Sequence, residues 1–185
     1  ATPAETPARD EEDDLTKFAE RSPLLDFANT DIAFFDDVMV AGSYHGFNLY
    51  KLGADGVPNL MSSVVCPGGQ GDVSVVGNIL VMSVEQTRGR LDCGLEGAPG
   101  KVNEERFRGL RIFDISDLAR PVQVGGVQTC RGSHTHSIVS ADATRVYATN
   151  GVGEVAALNP SDGSQIWRVK PAGPLRGAPT LAFGS

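Results

Sequence analysis

What most constrains this chain is a recurrence. Short runs that alternate apolar and polar residues, rich in Val, Ile and Phe, are separated by Gly, Asp, Asn and Pro. Such runs are strand signals at the spacing of an antiparallel meander. They fall at residues 31–35, 38–43, 47–52 and 59–65, then 72–76, 79–85, 110–115 and 122–128, then 136–140, 145–149, 154–158 and 165–169. Four short strands recurring three times at a period of roughly 40 to 50 residues are the signature of a β-propeller.

The repeat is uneven. Aligning Asp31, Asp72 and His136 at the heads of the first strands gives intervals of 41 and 64 residues. An insertion over about 87–107, rich in Gly and charged residues, absorbs the excess and reads as a surface loop. The expected units are 29–70, 71–133 with that insertion, and 134–175, with the start of a fourth at 176–185. Residues 1–28 carry the acidic run 10–14 and almost no apolar periodicity, so they read as a disordered or extended tail. The expected fold is all-β: a partial, about three-bladed, unclosed β-propeller of four-stranded antiparallel blades. Because propellers close with about four to eight blades, such an arc is expected to be part of a larger assembly.

Composition narrows the function classes. The chain has 185 residues, 22 of them Gly and 11 Pro, and a net charge of -7. That Gly and Pro content suits many turns and disfavours a helical bundle. No Lys/Arg cluster is present to neutralise phosphates, so nucleic acid is not an expected partner. The apolar runs are strand-sized, far short of the ~20 residues of a transmembrane helix. The N-terminus lacks a basic and apolar leader and would suit a mature end exposed by cleavage.

Residues 71–80 (Gly71-Asp72-Val73 through Ile79-Leu80), followed by Arg108-Gly109-Leu110-Arg111-Ile112-Phe113-Asp114-Ile115-Ser116-Asp117 and Arg120-Pro121-Val122, closely resemble the LVIVD repeat. Residues 44–50 match it more loosely, and Lys51-Leu52-Gly53 departs from it where the repeat carries its Asp-Ile-Ser turn. That resemblance spans about 29–140 and implies a secreted or cell-surface propeller. Residues 157–167 (Ala157-Leu158-Asn159-Pro160 through Ile166-Trp167) are similar to the tryptophan-docking motif of quinoprotein-type blades, with Asn159 in place of the usual Asp. This second resemblance, over about 141–185, implies a propeller blade. It does not imply pyrroloquinoline quinone, whose axial ligands and acidic base are not identifiable.

Asp114-Ile115-Ser116-Asp117 reads as turn chemistry, since Asx and Ser side chains bond the backbone of tight turns. His134 and His136 stand at i and i+2, which on a strand share a face, and with Asp72 or Asp31 as a third ligand they are the candidate metal site. The competing reading has these polar residues bonding the neighbouring blade's backbone. His45, beside Gly46, reads as a turn residue. Cys93 in the insertion and Cys130 after the second unit are the candidate disulfide, tying the loop to its own blade, while Cys66–Cys130 and Cys66–Cys93 remain open. Gly68-Gly69-Gln70-Gly71 lacks the Lys and helix of a phosphate loop and reads as an interblade link.

No catalytic constellation assembles from these residues. The expected function is therefore a non-catalytic module, exported to the periplasm or cell surface, that binds or scaffolds a protein partner or self-assembles, with no cofactor. Two alternatives stand beside it. One is a fragment of a quinoprotein-like or metal-dependent enzyme completed by further blades. The other is an accessory subunit tethered peripherally to a membrane complex through its acidic tail.

Overall fold

In a computed structural model, the residues described are 28–100, 102–129, 131–138, 146–149, 153–159 and 164–170. Residues 1–27, Cys130 and 171–185, and with them the acidic tail, one candidate cysteine and the fourth unit, lie outside the described residues. Twelve strands run β1 (Asn29–Phe35), β2 (Val38–Ser43), β3 (Gly46–Leu52), β4 (Pro58–Val65), β5 (Val73–Val76), β6 (Ile79–Val84), β7 (Gly109–Asp114), β8 (Val122–Gln128), β9 (Thr135–Ile138), β10 (Val146–Thr149), β11 (Val155–Leu158) and β12 (Gln165–Val169). They form three four-stranded sheets, each in chain order and antiparallel throughout. The fold is a partial, unclosed β-propeller. No helix among the described residues is long and apolar enough to cross a membrane.

The repeat is legible atom by atom. Asp36 and Gly77 occupy the same place in the first hairpin of sheets one and two, at φ 51° and 57°, the left-handed backbone that two-residue hairpin turns favour. Gly46 and Gly109 open the third strands at φ 142° and 149°. A Cβ there would sit 2.0 Å from the carbonyl oxygen of Val64 or Val127, so only Gly admits the fourth strand so closely. The fourth strands each carry one bulge at the same register, opposite Leu49/Tyr50, Ile112/Phe113 and Ala157/Leu158. The Asp114 turn forms as expected: its Oδ1 accepts from Ser116 N at 2.8 Å and Asp117 Oδ1 accepts from Ala119 N at 3.0 Å. Where the first unit has Lys51-Leu52-Gly53 instead, Gly53 N donates to Val57 O at 2.9 Å and Val57 N to Asp55 Oδ1 at 3.0 Å, a different turn at the same corner.

The core lies between sheets. Val38, Val40, Phe47, Leu49 and Val64 of sheet one pack on Val73, Val75, Leu80, Met82, Phe113 and Ile115 of sheet two and the turn after it. The Phe47 and Phe113 rings meet edge to face at 4.9 Å. One repeat on, Ile79, Val81, Leu110, Ile112 and Val127 pack on Ile138, Ala156 and Leu158 of sheet three. Sheet two thus turns a forward face towards sheet three and a back face towards the forward face of sheet one. At about 1.5 to 3 kcal/mol for each fully buried Val, Leu or Phe, this stacking is the dominant stabilisation.

The innermost strands are also clipped together by carboxylates. Asp31 Oδ2 accepts from Val73 N at 2.9 Å, and Asp72 Oδ2 accepts from His136 N at 2.9 Å. This corrects the repeat alignment: the third-unit equivalent of Asp31 and Asp72 is Thr135, which pairs with Thr149 as Asp72 faces Ser83. His136 corresponds to Val73, a core position on the back face.

Candidate interaction site at the inserted loop

The segment between β6 and β7 is folded back and pinned at several points. Ala98 N donates to Arg88 O and Phe107 N to Gly89 O, both at 2.8 Å, and Arg90 bridges Arg106. Arg90 grips Asp92 with both forks, Nε to Oδ1 at 2.8 Å and Nη2 to Oδ2 at 2.7 Å, while its Nη1 holds Glu105. This pairing holds the Asp92 carboxyl well below the usual carboxylate range and raises the Arg90 guanidinium. Gln123 Nε2 of β8 donates to Leu91 O at 2.8 Å, fastening the loop to its own sheet.

Two further fastenings reach the neighbouring sheet. Cys66, at the end of β4, is disulfide-bonded to Cys93, with Cα atoms 4.4 Å apart. The expected Cys93–Cys130 pairing is thereby corrected: the bridge ties the insertion to the link from the preceding sheet, not to the end of its own. Cys93 takes φ 61° there, a backbone that a non-Gly residue keeps only where its surroundings fix it. Arg111 of β7 is fully buried beneath the same link. It donates Nη1 to Cys66 O at 3.0 Å, Nη2 to Pro67 O at 2.9 Å and Nη2 to Arg90 O, and its guanidinium carbon lies 5.9 Å from the Phe107 ring centroid. Burial pushes its pKa down to about 10, which leaves it charged at neutral pH. A buried cation without a carboxylate contact is held by carbonyl dipoles and a ring face instead.

Beside the exposed carboxylates of Asp92, Glu96 and Glu105, this frame presents two aliphatic side chains outward: Leu95 is 68% and Val102 95% exposed. Exposed aliphatic groups on a rigid loop lose little entropy on binding, which suits a protein contact.

Beside the loop lies the polar cluster that holds the candidate metal ligands. His136 Nδ1 lies 2.9 Å from Asp72 Oδ2 and 2.9 Å from Ser83 Oγ, and Ser83 Oγ is 3.0 Å from Ser133 Oγ, which donates to Thr135 O at 3.0 Å. With Asp72 as acceptor, Nδ1 carries the proton, and the two hydroxyls relay to the Thr135 carbonyl. Ser, His and Asp meet here without the order that nucleophilic catalysis needs. Serine belongs on Nε2 and aspartate on Nδ1, whereas both sit on Nδ1, and Ser83 is buried. His134, one residue before β9, turns its Nδ1 to Glu85 Oε2 at 2.5 Å. The two imidazoles therefore bond different carboxylates, Asp72 joins His136 as a hydrogen-bond acceptor, and Asp31 is engaged with Val73. Among the described residues no three His, Cys, Asp or Glu side chains gather as a metal site. Tyr44, whose hydroxyl pKa is raised by burial and by the Glu85 charge, completes this rim with Glu85. Sequence reasoning singled out neither Tyr44 nor Glu85, nor Arg111, whose place between Leu110 and Ile112 reads as an outward polar position.

A family model described as outer membrane protein assembly factor BamB matches residues 72–185. The chain belongs to that family. No curated protein matches it. Among solved structures, the computationally designed Ika8 protein is similar with a TM-score of 0.55 and 12% identity over 84% of this chain and 41% of that one. Hsv2 of Kluyveromyces lactis is similar with a TM-score of 0.50 and 11% identity over 77% of this chain and 38% of that one. BamB of Moraxella catarrhalis aligns with a TM-score of 0.44 and 18% identity over 77% of this chain and 37% of that one. The chain spans about two fifths of the length of these proteins.

Proposed function

We propose that this chain is a non-catalytic propeller module that binds protein partners during the assembly of outer membrane proteins, working in the periplasm and without a cofactor. Membership of the assembly-factor family carries this reading. The loop geometry supports it, because the Cys66–Cys93 bridge and the Arg111 carbonyl contacts hold Leu95 and Val102 out on a rigid frame. A disulfide also suits an oxidising compartment such as the periplasm. The polar cluster fits structural use, since Asp72, Ser83, Ser133 and His136 Nδ1 bond one another, with His136 Nε2 buried and without a hydrogen-bond partner among the described residues. The LVIVD resemblance adds only that the module is exported.

The experiment is complementation in an exporting bacterium lacking its own copy. The chain, fused to an export signal, should restore outer membrane protein levels and fractionate with the periplasm, and Leu95→Asp with Val102→Asp should abolish restoration while leaving the fold intact. Equal restoration by the doubly substituted chain would overturn the loop assignment. Hydrolysis of activated esters by the wild-type chain, lost in Ser83→Ala, would overturn the non-catalytic reading.

A further inference from the structure

The outer strands of the three sheets are equivalent by register, and each turns a row of backbone groups away from its sheet. In sheet one, Cys66 N donates to His45 O and Gly53 N to Val57 O. Counted from these bonds, Phe47 with Val64 and Leu49 with Ser62 are the hydrogen-bonded pairs of β3 and β4. Ser63, Val65 and, beyond the bulge, Leu60 therefore turn their N–H and C=O groups outward. The same count gives Gln123, Gly126 and Gln128 on β8, and Gln165, Arg168 and the following Lys170 on β12.

The three rows differ in what guards them. An exposed edge is a template for another strand, and folded chains blunt it with charge or cover it. On β12 the row carries Arg168 and Lys170. On β8 the inserted loop closes in: Gln123 Nε2 holds Leu91 O at 2.8 Å, and a Cβ on Gly126 would sit 2.5 Å from Leu91 Cδ1. On β4 the same three places are Leu60, Ser63 and Val65, all exposed, and Pro58–Val65 holds no charged residue. Among the described residues β4 pairs with β3 alone. Leu60 also ends a cross-strand row through Phe34, Met39 and Tyr50, and its side chain is 59% exposed.

We propose that the edge of β4 binds an extended, uncharged segment of a partner protein, which adds to the four-stranded sheet one as a fifth strand. Main-chain bonds to Leu60, Ser63 and Val65 supply the affinity, and alternate side chains of the segment supply the selectivity. Those that share a face with Leu60 and Val65 continue an apolar row, so they are apolar. On the other face the turn after β7 closes in, Ser62 Oγ donating to Leu118 O at 2.6 Å, which favours small polar residues at the intervening positions. β4 offers no charge to pair with one on the segment. A second copy of this chain would bring one net charge of -7 towards another, which favours a separate neutral segment over self-pairing. The binding uses neither Leu95 nor Val102, so it stands or falls separately from the proposed function.

The test is fluorescence anisotropy of a labelled peptide of alternating threonine and valine, N-methylated at its threonines so that only the valine edge can pair, titrated with the 185-residue chain. The expected dissociation constant is roughly 100 micromolar or tighter. Binding should vanish when the valines are N-methylated as well, and should weaken at least about tenfold in Ser63→Pro and in Leu60→Lys. Proline at position 63 removes only an outward N–H, which an edge strand tolerates. Leu60→Lys changes an exposed side chain and no backbone donor, so it keeps the wild-type unfolding midpoint should the proline variant fail to fold. No binding at about a millimolar chain, or equal binding by the wild type and Leu60→Lys, would overturn the proposal. So would a wild-type dimer in sedimentation that Ser63→Pro dissociates, which would mean that a second copy takes the edge. Binding lost in Leu95→Asp with Val102→Asp but kept in Ser63→Pro would overturn it too, by seating the peptide on the inserted loop.

Discussion

Arg111 donates to the carbonyl of Cys66, the residue whose sulfur is bonded to Cys93, and also to the carbonyl of Arg90. A buried cation and a disulfide therefore fasten the same two segments, the link between the first two sheets and the inserted loop. Replacing Arg111 with Met strands three carbonyls in the core. It should cost roughly 3 to 5 kcal/mol in urea unfolding, as expected when one member of a buried polar set is removed, and Lys should recover part of it. A loss under about 1 kcal/mol would show that the carbonyls find other donors.

Opening the Cys66–Cys93 bridge should act on the same frame. The two residues are 27 apart in sequence, and closing a loop of that size stabilises by roughly 3 to 4 kcal/mol in the chain-entropy model. Cys93→Ser should lose about that much and expose Arg88 and Arg90 to trypsin. Combined with Arg111→Met, the losses should fall short of their sum, because each variant already loosens what the other holds.

The carboxylate clips between inner strands make a separate prediction. Asp31→Ala and Asp72→Ala should each cost roughly 1.5 to 3 kcal/mol, the range for hydrogen bonds to a charged group. Asp72→Ala should be the costlier, because it also removes one of the two partners of His136 Nδ1, while Asp72→Asn keeps an acceptor and should lose less. Thermal unfolding of the three variants measures the order, and equal values for Asp72→Ala and Asp72→Asn would contradict it.

Acid should weaken the inserted loop and the turn after β7. The carboxyls of Asp92, Asp114 and Asp117 are held below their ordinary 3.8 by Arg90, by Ser116 and by Arg120 respectively. A lowered folded-state value contributes stability above the unfolded value and loses it as pH falls through the folded one. Stability should be flat near neutrality and decline as pH drops below 3.8. The decline should be smaller in Asp92→Asn and in high salt, because these pairs are exposed. A pH-independent midpoint down to pH 2 would contradict this.

Strands were the most legible part of the sequence, because a two-residue alternation and turn residues are local signals. The runs at 38–43, 122–128 and 165–169 coincide with β2, β8 and β12. The site was far less legible. Placing His136 at the register of Asp72, when it belongs with Val73, is a slip of one residue. On a strand such a slip moves a side chain to the opposite face, so a core imidazole read as a candidate metal ligand. His134 falls before β9, where strand alternation does not apply. The Cys66 partner and the burial of Arg111 depend on where the insertion folds back, a nonlocal fact that no spacing encodes.

The surface proposed above for protein contact is the insertion pinned by the Cys66–Cys93 bridge and Arg111. Its most direct measurement is photo-cross-linking in exporting cells from benzoylphenylalanine at position 95, with adducts identified by mass spectrometry. One dominant adduct is expected, with a component or client of the outer membrane assembly machinery, strongly reduced in Cys93→Ser. No adduct from position 95, or an equal yield with and without the Cys66–Cys93 bridge, would contradict it.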